Sequence, residues 1–473
     1  MFGFSKNQRN ARRSALDINT INRGINHPKS ILSNFKTTEG LPFSEVIPSG
    51  IIAESLGGMD YRDRFFTPDI ILWAFLSQVL DDDQSQQAAV SRVIAFFVAQ
   101  GIEPPSANTS AYSQARSRLP EKVISDLAHS VAQQIEKSTP KNWLWRERPL
   151  KIMDGSTNSM PDTEENQAVY PQPDSQNPGV GFPIARVVAL IDYTTGAVLD
   201  LAIGPYSGKE TGEHALLRQL TGNFKAGDVV LGDCYYGSFF LLALLLQSGV
   251  DAVFPIHHAR RSDFRRGKKL GEYDHIARWK KPVRPEWMNE EEYNQFPAEI
   301  CIREVMIKNH RNGFRPKKRV LVTTFLNANK VSKTDLSELY DYRWFVEVAL
   351  MSIKETMHMD ILRGKTPEMV RKEIWMHLLA YNLIRKVMLD AAILYGKKPR
   401  NLSFKLALQT VESFRQAGIF NVKNDFAYSC LLKSIAYKTV NNRPGRLEPR
   451  RVKRRPKPFQ RLQKARQLYK RIT

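Results

Sequence analysis

The spacing of apolar residues changes character twice along the chain. From Pro68 the run IILWAFLSQVL and then Ser85 to Gln100 repeat on a helical period, and Thr67-Pro68-Asp69 supplies an N-cap with proline at the first helical position. GIEPPSANT breaks that period, SAYSQARSR (Ser110 to Arg118) resumes it as a short basic helix, and Pro120 opens another. From about residue 149 the apolar positions fall into short runs of strand character. LKIMD ends in Asp154 before a Gly-Ser-Thr turn, IARVVALID and AVLDLAI are joined by a turn at Tyr193-Thr194-Thr195-Gly196, DVVLG leads to Asp233, and DAVFPI follows from Asp251. Helices over Glu210 to Leu220 and Phe239 to Gln247 separate the later strands.

Three strands, helix, strand, helix, strand is the order of a ribonuclease-H-like α/β sheet, in which the first and fourth strands lie side by side. That adjacency predicts Asp154 close to Asp233. Between His257 and about Lys317 the pattern is irregular and basic, with nine Lys or Arg against three acids in Arg260 to Lys281. It reads as a β-rich insertion, after which KRVLVTTF (Lys318 to Phe325) returns to strand. A helix is expected over Asp335 to Met357, Thr366-Pro367-Glu368 caps a long one through WMHLLAYNLIRKVMLDAAIL, and amphipathic helices run from about 402 to 438. The expected division is a basic arm at 1–36, a helical DNA-binding region at 37–145, the first part of the core at 146–256, and the basic β-rich insertion at 257–330. The second part of the core, with its glutamate helix, is placed at 331–398 and a helical C-terminal region with a basic tail at 399–473.

Charge narrows the partner. The chain has 70 Lys and Arg against 48 Asp and Glu, a formal net charge of +22, so its field draws in a polyanion, nucleic acid first and ribosomes or anionic membranes next. Arg443 to Arg471 holds thirteen Lys or Arg against the single acid Glu448, which suits phosphate contacts or a solvated end. Helix, break, basic helix within 67–118 is compatible with a helix-turn-helix-like reader of DNA ends, and equally with an ordinary helical bundle. Trp279 and Trp287, interleaved with basic residues, suit stacking on an unpaired base or, as readily, a core role. Cys234, Cys301 and Cys430 lack metal-ligand spacing and argue for a reducing compartment. The first residues lack the apolar core of a secretory signal, and the longest apolar run, Phe239 to Leu246, is too short to span a bilayer. A cytoplasmic protein is expected.

The candidate chemistry centres on Asp335 to Met357. At 3.6 residues per turn, offsets of 3, 7 and 14 put Tyr340, Arg343, Glu347 and Lys354 on one stripe of a helix. Glu347 is the only charge in the apolar run Trp344 to Met351, where a buried carboxylate needs a cation: Arg343 one turn back, or a divalent metal. An i, i+4 Arg–Glu pair on a solvated face is the plainer reading. With Asp154 and Asp233 it completes a set of three acids suited to two Mg²⁺ ions roughly 3.5–4 Å apart, Asp154 between them and Asp233 and Glu347 flanking. Asp81-Asp82-Asp83 and Asp192 are decoys, assigned to a solvated loop with a helix cap and to a hairpin turn.

The compound pattern Tyr340-x2-Arg343-x3-Glu347-x6-Lys354, with DGST at the first acid, GDCYYG at the second, and LRGKTPE and LLAYNLIR after the third, resembles a known signature. It is similar to the Tyr-Arg-Glu-Lys signature of the DDE transposases of bacterial insertion sequences, in the family named after insertion sequence four, and the likeness runs from about residue 60 to the end. The resemblance implies a ribonuclease-H-like core with Asp154, Asp233 and Glu347 as catalytic metal ligands for two Mg²⁺ ions, Mn²⁺ substituting. It implies that Tyr340, Arg343 and Lys354 hold phosphates of the transposon end, and that the partners are double-stranded transposon ends and target DNA bound by a homodimer. The implied reaction is cleavage at terminal inverted repeats and joining of the 3′ ends to target DNA, cut-and-paste through a hairpin, in a bacterial cytoplasm at the nucleoid. Trp279 or Trp287 would support a flipped base. A ribonuclease-H-like nuclease that cuts without joining, and a non-catalytic transposase-derived DNA-binding regulator, are the competing readings.

Overall fold

Runs rich in Val, Ile and Leu form one nine-stranded, mostly antiparallel sheet with helices packed on it, a mixed α/β fold. The computed structural model describes residues 65–99, 101–309, 317–416, 425–440 and 464. The expected arm at 1–36 lies outside the described residues, as does the basic tail apart from residue 464.

Four helices come first: α1 (Pro68–Leu80), α2 (Gln86–Ala99), α3 (Thr109–Arg118) and α4 (Glu121–Ser138). Every residue of α1 is buried, so its near-continuous apolar run marks a core helix. Pro68 takes the expected first position, but the Thr67 side chain makes no capping bond. In the acidic loop Asp81 pairs with Arg92, and it is Ser85, its hydroxyl accepting from the Ala88 N–H at 3.1 Å, that caps α2. Arg116 of α3 turns inward, donating to Gln78 Oε1 at 3.0 Å and lying 4.8 Å over the Phe75 ring, whereas Arg118 faces solvent.

The sheet begins with β1 (Leu150–Ser159), followed by the short α5 (Glu164–Val169), β2 (Ile184–Asp192), β3 (Val198–Pro205), α6 (Glu213–Leu220), β4 (Val229–Leu231), α7 (Phe239–Gln247) and β5 (Asp251–Pro255). Then come β6 (Lys268–Gly271), β7 (Asp274–Lys280), α8 (Glu290–Gln295), β8 (Glu299–Asn309) and β9 (Lys317–Thr323). The order across the sheet is β3-β2-β1-β4-β5-β9-β8-β7-β6. β1 and β4 are parallel neighbours, as are β4 and β5, and all other pairings are antiparallel. Through β9 the strands after His257 extend this same sheet. At the β2–β3 turn Asp192 accepts from the Thr195 N–H and hydroxyl at 2.8 and 2.6 Å, the turn role expected of it.

Two sequence expectations are corrected. Gly155-Ser156-Thr157 is not a turn: β1 continues through it, paired to Val188, Val187 and Arg186, so Asp154 lies inside a strand. Nor is Asp335 to Met357 one helix. It divides into α9 (Lys333–Asp341), α10 (Trp344–Met351) and a π turn at Ser352–Thr356. At the join the N–H groups of Tyr342, Arg343, Phe345 and Val346 bond three residues back, tightening the backbone, and Met357 N–H then reaches five residues back to Ser352 O at 3.1 Å.

The chain ends in α11 (Pro367–Leu394), α12 (Phe404–Gln416) and α13 (Asp425–Tyr437), with α11 buried along most of its length against α1, α4, α12 and α13. Thr366 caps α11 as expected, accepting from Met369 N–H at 3.3 Å. No helix among the described residues is long and apolar enough to cross a membrane.

A buried cluster of polar groups ties these helices to the segment after the π turn. Glu373 accepts the N–H groups of Arg363 and Gly364, Gln84 donates to Met357 O at 2.8 Å, and His377 lies against both, with Nδ1 2.8 Å from Glu373 O. Burial holds the His377 pKa down to about 4 against an ordinary 6.5. Above pH 6.5 both folded and unfolded forms leave this ring neutral. Between 6.5 and 4 only the unfolded chain takes up the proton, so stability falls as pH falls, by up to about 3 kcal/mol. His377→Gln is expected to flatten that part of a urea-midpoint-against-pH curve; an unchanged slope removes His377 as its cause.

Candidate active site

Strand register places the first two acids. β1 and β4 pair Leu150 with Val229 and Ile152 with Leu231, so Asp154 and Asp233, each two residues further on, sit level at the same end of the parallel pair. Asp154 Oδ1 accepts from Gly155 N–H at 2.9 Å, and Asp233 Oδ1 accepts from Tyr235 N–H at 2.8 Å where the chain leaves β4 in a tight turn. Glu347 arrives from α10, which packs on β1. Arg343 joins the two elements: its Nη2 is 2.8 Å from Glu347 Oε1 and its Nη1 3.8 Å from Asp154 Oδ2. Burial pushes the Asp154 pKa up to about 6, with Asp233 and Glu213 adding repulsion and the Gly155 N–H and Arg343 opposing it.

The residues expected to bind phosphate lie on both sides of the break between α9 and α10. Tyr340 is buried, with Arg319 lying 5.1 Å over its ring, and burial raises its pKa. Lys354, in the π turn, donates to Thr157 O of β1 at 2.8 Å. Tyr340, Arg343, Glu347 and Lys354 thus all belong to the segment that faces the Asp154 strand. The setting of Glu347 differs from expectation: its side chain is 39% exposed, and Trp344, Phe345, Val348 and Met351 around it are exposed apolar residues. The run is split: Val346 and Ala349 are core, whereas the exposed apolar residues beside Glu347 line an open surface.

Of the two readings offered for Trp279, base stacking or core, it takes the core one. Strand alternation turns it inward, where Nε1 donates to the buried Glu304 at 2.8 Å and Arg260 covers the ring at 3.8 Å. Trp287 remains at the surface beneath the Arg218 guanidinium, 4.0 Å from its ring centroid.

Sequence reasoning missed Glu213, the first residue of α6. Its Oε2 accepts from the buried Tyr236 hydroxyl at 3.3 Å, and burial followed by Asp233 raises its pKa. The nearby His214 is held below its ordinary pKa by burial. Only the preceding Gly212, at a helix start, marked the position in the sequence.

The donor chemistry suits a hard divalent cation. Asp154, Asp233, Glu347 and Glu213 offer carboxylate oxygen alone, the ligand type that Mg²⁺ and Mn²⁺ prefer. The Arg343 guanidinium sits between Asp154 and Glu347 as positive charge in their midst, while among the described residues Asp233 and Glu213 have no ion-pair partner. No three His, Cys, Asp or Glu side chains among the described residues close around a single point. Arg343 hydrogen-bonds Glu347 and stands 3.8 Å from Asp154, so its charge occupies the space between these two acids.

Comparison with known proteins identifies the family. Residues 145–383, just over half of the chain, match the family model described as the transposase DDE domain. Across 455 residues, 93% of this chain and 96% of the relative, the sequence is 27% identical to transposase InsG for insertion sequence element IS4 of Escherichia coli strain K12. A 65-residue stretch, 14% of this chain and 18% of the other, is 37% identical to the transposase for insertion sequence element IS421 of Escherichia coli. Among solved structures, the piggyBac transposase synaptic complex with hairpin DNA, determined by cryo-EM, aligns over 89% of this chain and 87% of that one at 12% identity and a TM-score of 0.41. The chain belongs to the IS4 family of DDE transposases.

Proposed function

We propose that this protein cleaves DNA at the terminal inverted repeats of its insertion sequence and joins the 3′ ends to target DNA, by a cut-and-paste route through a hairpin on the element's end. The observation that carries the reading is the constellation itself: Asp154 and Asp233 level on parallel strands, with Glu347 brought to Asp154 by a shared arginine. Strand order β3-β2-β1-β4-β5, with β1 antiparallel to β2 and parallel to β4, supports a ribonuclease-H-like core over 146–256 and 331–398, interrupted by the basic insertion at 257–330. Helices of 37–145 and 399–473 are assigned to contacts with DNA and with a second copy of the chain in a dimeric complex.

Asp154, Asp233 and Glu347 would hold two Mg²⁺ ions, which Mn²⁺ could replace. When bound, such ions supply activation of the attacking oxygen and stabilisation of the leaving one in an in-line displacement. The remaining work belongs to the chain. Arg343, released from Glu347 and Asp154, grips a phosphate with paired donors; Lys354 adds a point charge beside β1, and the Tyr340 hydroxyl donates to a phosphate oxygen without adding charge.

The first test is a Mg²⁺-dependent assay with DNA carrying the ends that flank the gene. Cutting followed by joining is the expected result. Cutting alone would make the protein a nuclease, and tight binding with no chemistry a regulator. Arg343→Ala is expected to weaken the DNA complex and to lower the slope of log affinity against log salt by about one phosphate contact. An unchanged slope would remove Arg343 from the phosphate-binding set.

A further inference from the structure

Arg400 stands in a single turn at Pro399–Asn401, on the connection from α11 to α12. Its guanidinium carbon lies 4.2 Å from the centroid of the Tyr193 ring, 5.4 Å from that of Phe345 and 5.5 Å from that of Tyr342. The three rings also hold one another: Tyr193 stacks on Tyr342 at 4.5 Å and meets Phe345 edge-on at 5.4 Å. A guanidinium is attracted to aromatic faces by their quadrupoles and stacks on them because it is flat. Such a cage grips Arg400 by its faces, whereas its donors lie in its plane.

Those donors are unclaimed. Among the described residues the Arg400 side chain makes no hydrogen bond and no ion pair; Nη1 is covered without a partner, while Nε and Nη2 are not covered. Part-buried arginines elsewhere are matched: Arg343 by Glu347, Arg371 by Glu121 and Arg148 by Asp251. Burial alone lowers the Arg400 pKa, with no carboxylate opposing it. A charge drawn partly out of water without a counter-charge is costly, and the rings offset only part of that cost. The surroundings have the sign that attracts an anion. Lys397, Lys398 and Asn401 are exposed on the same connection, and Glu338, the acid that acts on Tyr342, does not act on Arg400. Tyr342 and Phe345 also flank Arg343 at the join between α9 and α10, so the cage is part of the segment that leads into Glu347.

We infer that Arg400 is a contact for a DNA backbone phosphate, its open Nε–Nη2 edge held ready by the cage of Tyr193, Tyr342 and Phe345. The inference rests on the DNA-cleaving reading above and adds to it a residue from the C-terminal region. Nε and Nη2 form one side of the fork and can take two oxygens of one phosphate while the face stays stacked. Arg303 uses the same two nitrogens to hold both oxygens of Asp274. A contact to the backbone carries no sequence information, so its strength is the same on any duplex.

The experiment follows the anisotropy of a fluorescent duplex carrying the ends that flank the gene, titrated with full-length protein over a series of NaCl concentrations. Arg400→Gln is expected to bind about tenfold more weakly at low salt, with the slope of log affinity against log salt lower by about one contact. Arg400→Lys keeps the charge but not the fork, and is expected to keep the wild-type slope. A wild-type slope in Arg400→Gln overturns the inference. A lowered slope in Arg400→Lys as well overturns it too, because disturbance of the cage and not loss of charge is then the cause. Wild-type protein that binds the duplex with no salt dependence would instead sink the DNA-binding reading itself. Melting separates the remaining possibilities. Loss of an unmatched charge leaves the melting temperature of Arg400→Gln unchanged or raises it, whereas a lower melting temperature with an unchanged slope makes Arg400 a structural clamp on the join. If inorganic phosphate raises the melting temperature of wild type but not of Arg400→Gln at equal ionic strength, and the DNA slopes agree, the site takes free phosphate and the DNA assignment fails.

Discussion

Asp154→Ala, Asp233→Ala and Glu347→Ala are each expected to abolish end cleavage, by roughly 10³-fold or more, while leaving end binding within a few-fold of wild type. The two effects separate because these side chains repel DNA phosphates and so contribute nothing favourable to the encounter. Removing Glu347 also frees the Arg343 Nη2 donor for a phosphate. A parallel loss of binding in all three variants would mean that the acids build the DNA surface and would undo their catalytic assignment. Asp154 carries a further signature in the metal-free protein. Its folded pKa of about 6 exceeds the ordinary 3.8, so the folded state holds a proton that the unfolded state has released between those values. Stability therefore falls as pH rises from about 4 through 6, and above 6 the cost stays constant, up to about 3 kcal/mol. In EDTA at pH 7.5, Asp154→Asn should melt higher than wild type, and the gain should vanish near pH 4. A gain equal at both pH values would trace to something other than the carboxylate's charge.

Much of this centre was legible in the residues, and the misses have local causes. Runs such as VVL and AVF announced buried strands because parallel strands covered on both faces read as unbroken apolar stretches. The continuation of β1 beyond Asp154 was not announced. Gly155, Ser156 and Asn158 are weak strand formers, and what keeps them extended is long-range. Asn158 Nδ2 donates to Met359 O at 2.6 Å, Ser159 N–H to Asp360 O at 3.3 Å, and Leu362 N–H returns to Ser159 O at 2.9 Å. The same partners close the segment after the π turn, so β1 and the glutamate segment extend each other. The break before α10 was equally silent, since no Gly or Pro marks it. Tyr342 there stacks on Tyr193 with ring centroids 4.5 Å apart, and Arg400 covers Tyr193 at 4.2 Å, contacts between residues nearly 150 and over 200 positions apart in sequence. Hydrophobicity misled for the outer face of Trp344 to Met351, where Trp344, Phe345, Val348 and Met351 stay exposed although Val346 and Ala349 are core. Glu213 shows the limit most plainly: that its carboxylate fills the space beside Gly155 follows only once α6 has packed on the sheet.

Arg303→Met is expected to be the most destabilising change outside the catalytic set. Arg303 is fully buried on β8, and its fork closes on Asp274 of β7, Nε to Oδ1 at 2.8 Å and Nη2 to Oδ2 at 2.6 Å. Its remaining nitrogen, Nη1, donates to Val331 O at 2.6 Å. Removing one partner of such a pair leaves an uncompensated buried charge, at a cost of about 3–5 kcal/mol. Arg303→Met strands Asp274 and Asp274→Asn strands Arg303, so each alone should shift the urea midpoint strongly, and the double variant by less than their sum. The effect should reach the catalytic centre by a traceable route. Val331 immediately precedes Ser332, the N-cap of α9, and α9 carries Tyr340 and leads through Arg343 into Glu347. Loss of the Nη1 bond unties the start of that segment from the outer strands, so limited proteolysis should open between residues 326 and 332 before the sheet itself unfolds. Cleavage there at the wild-type rate, with an unchanged urea midpoint, would show that α9 is held by its own packing on β5 and β8 and that the Arg303–Asp274 pair is dispensable.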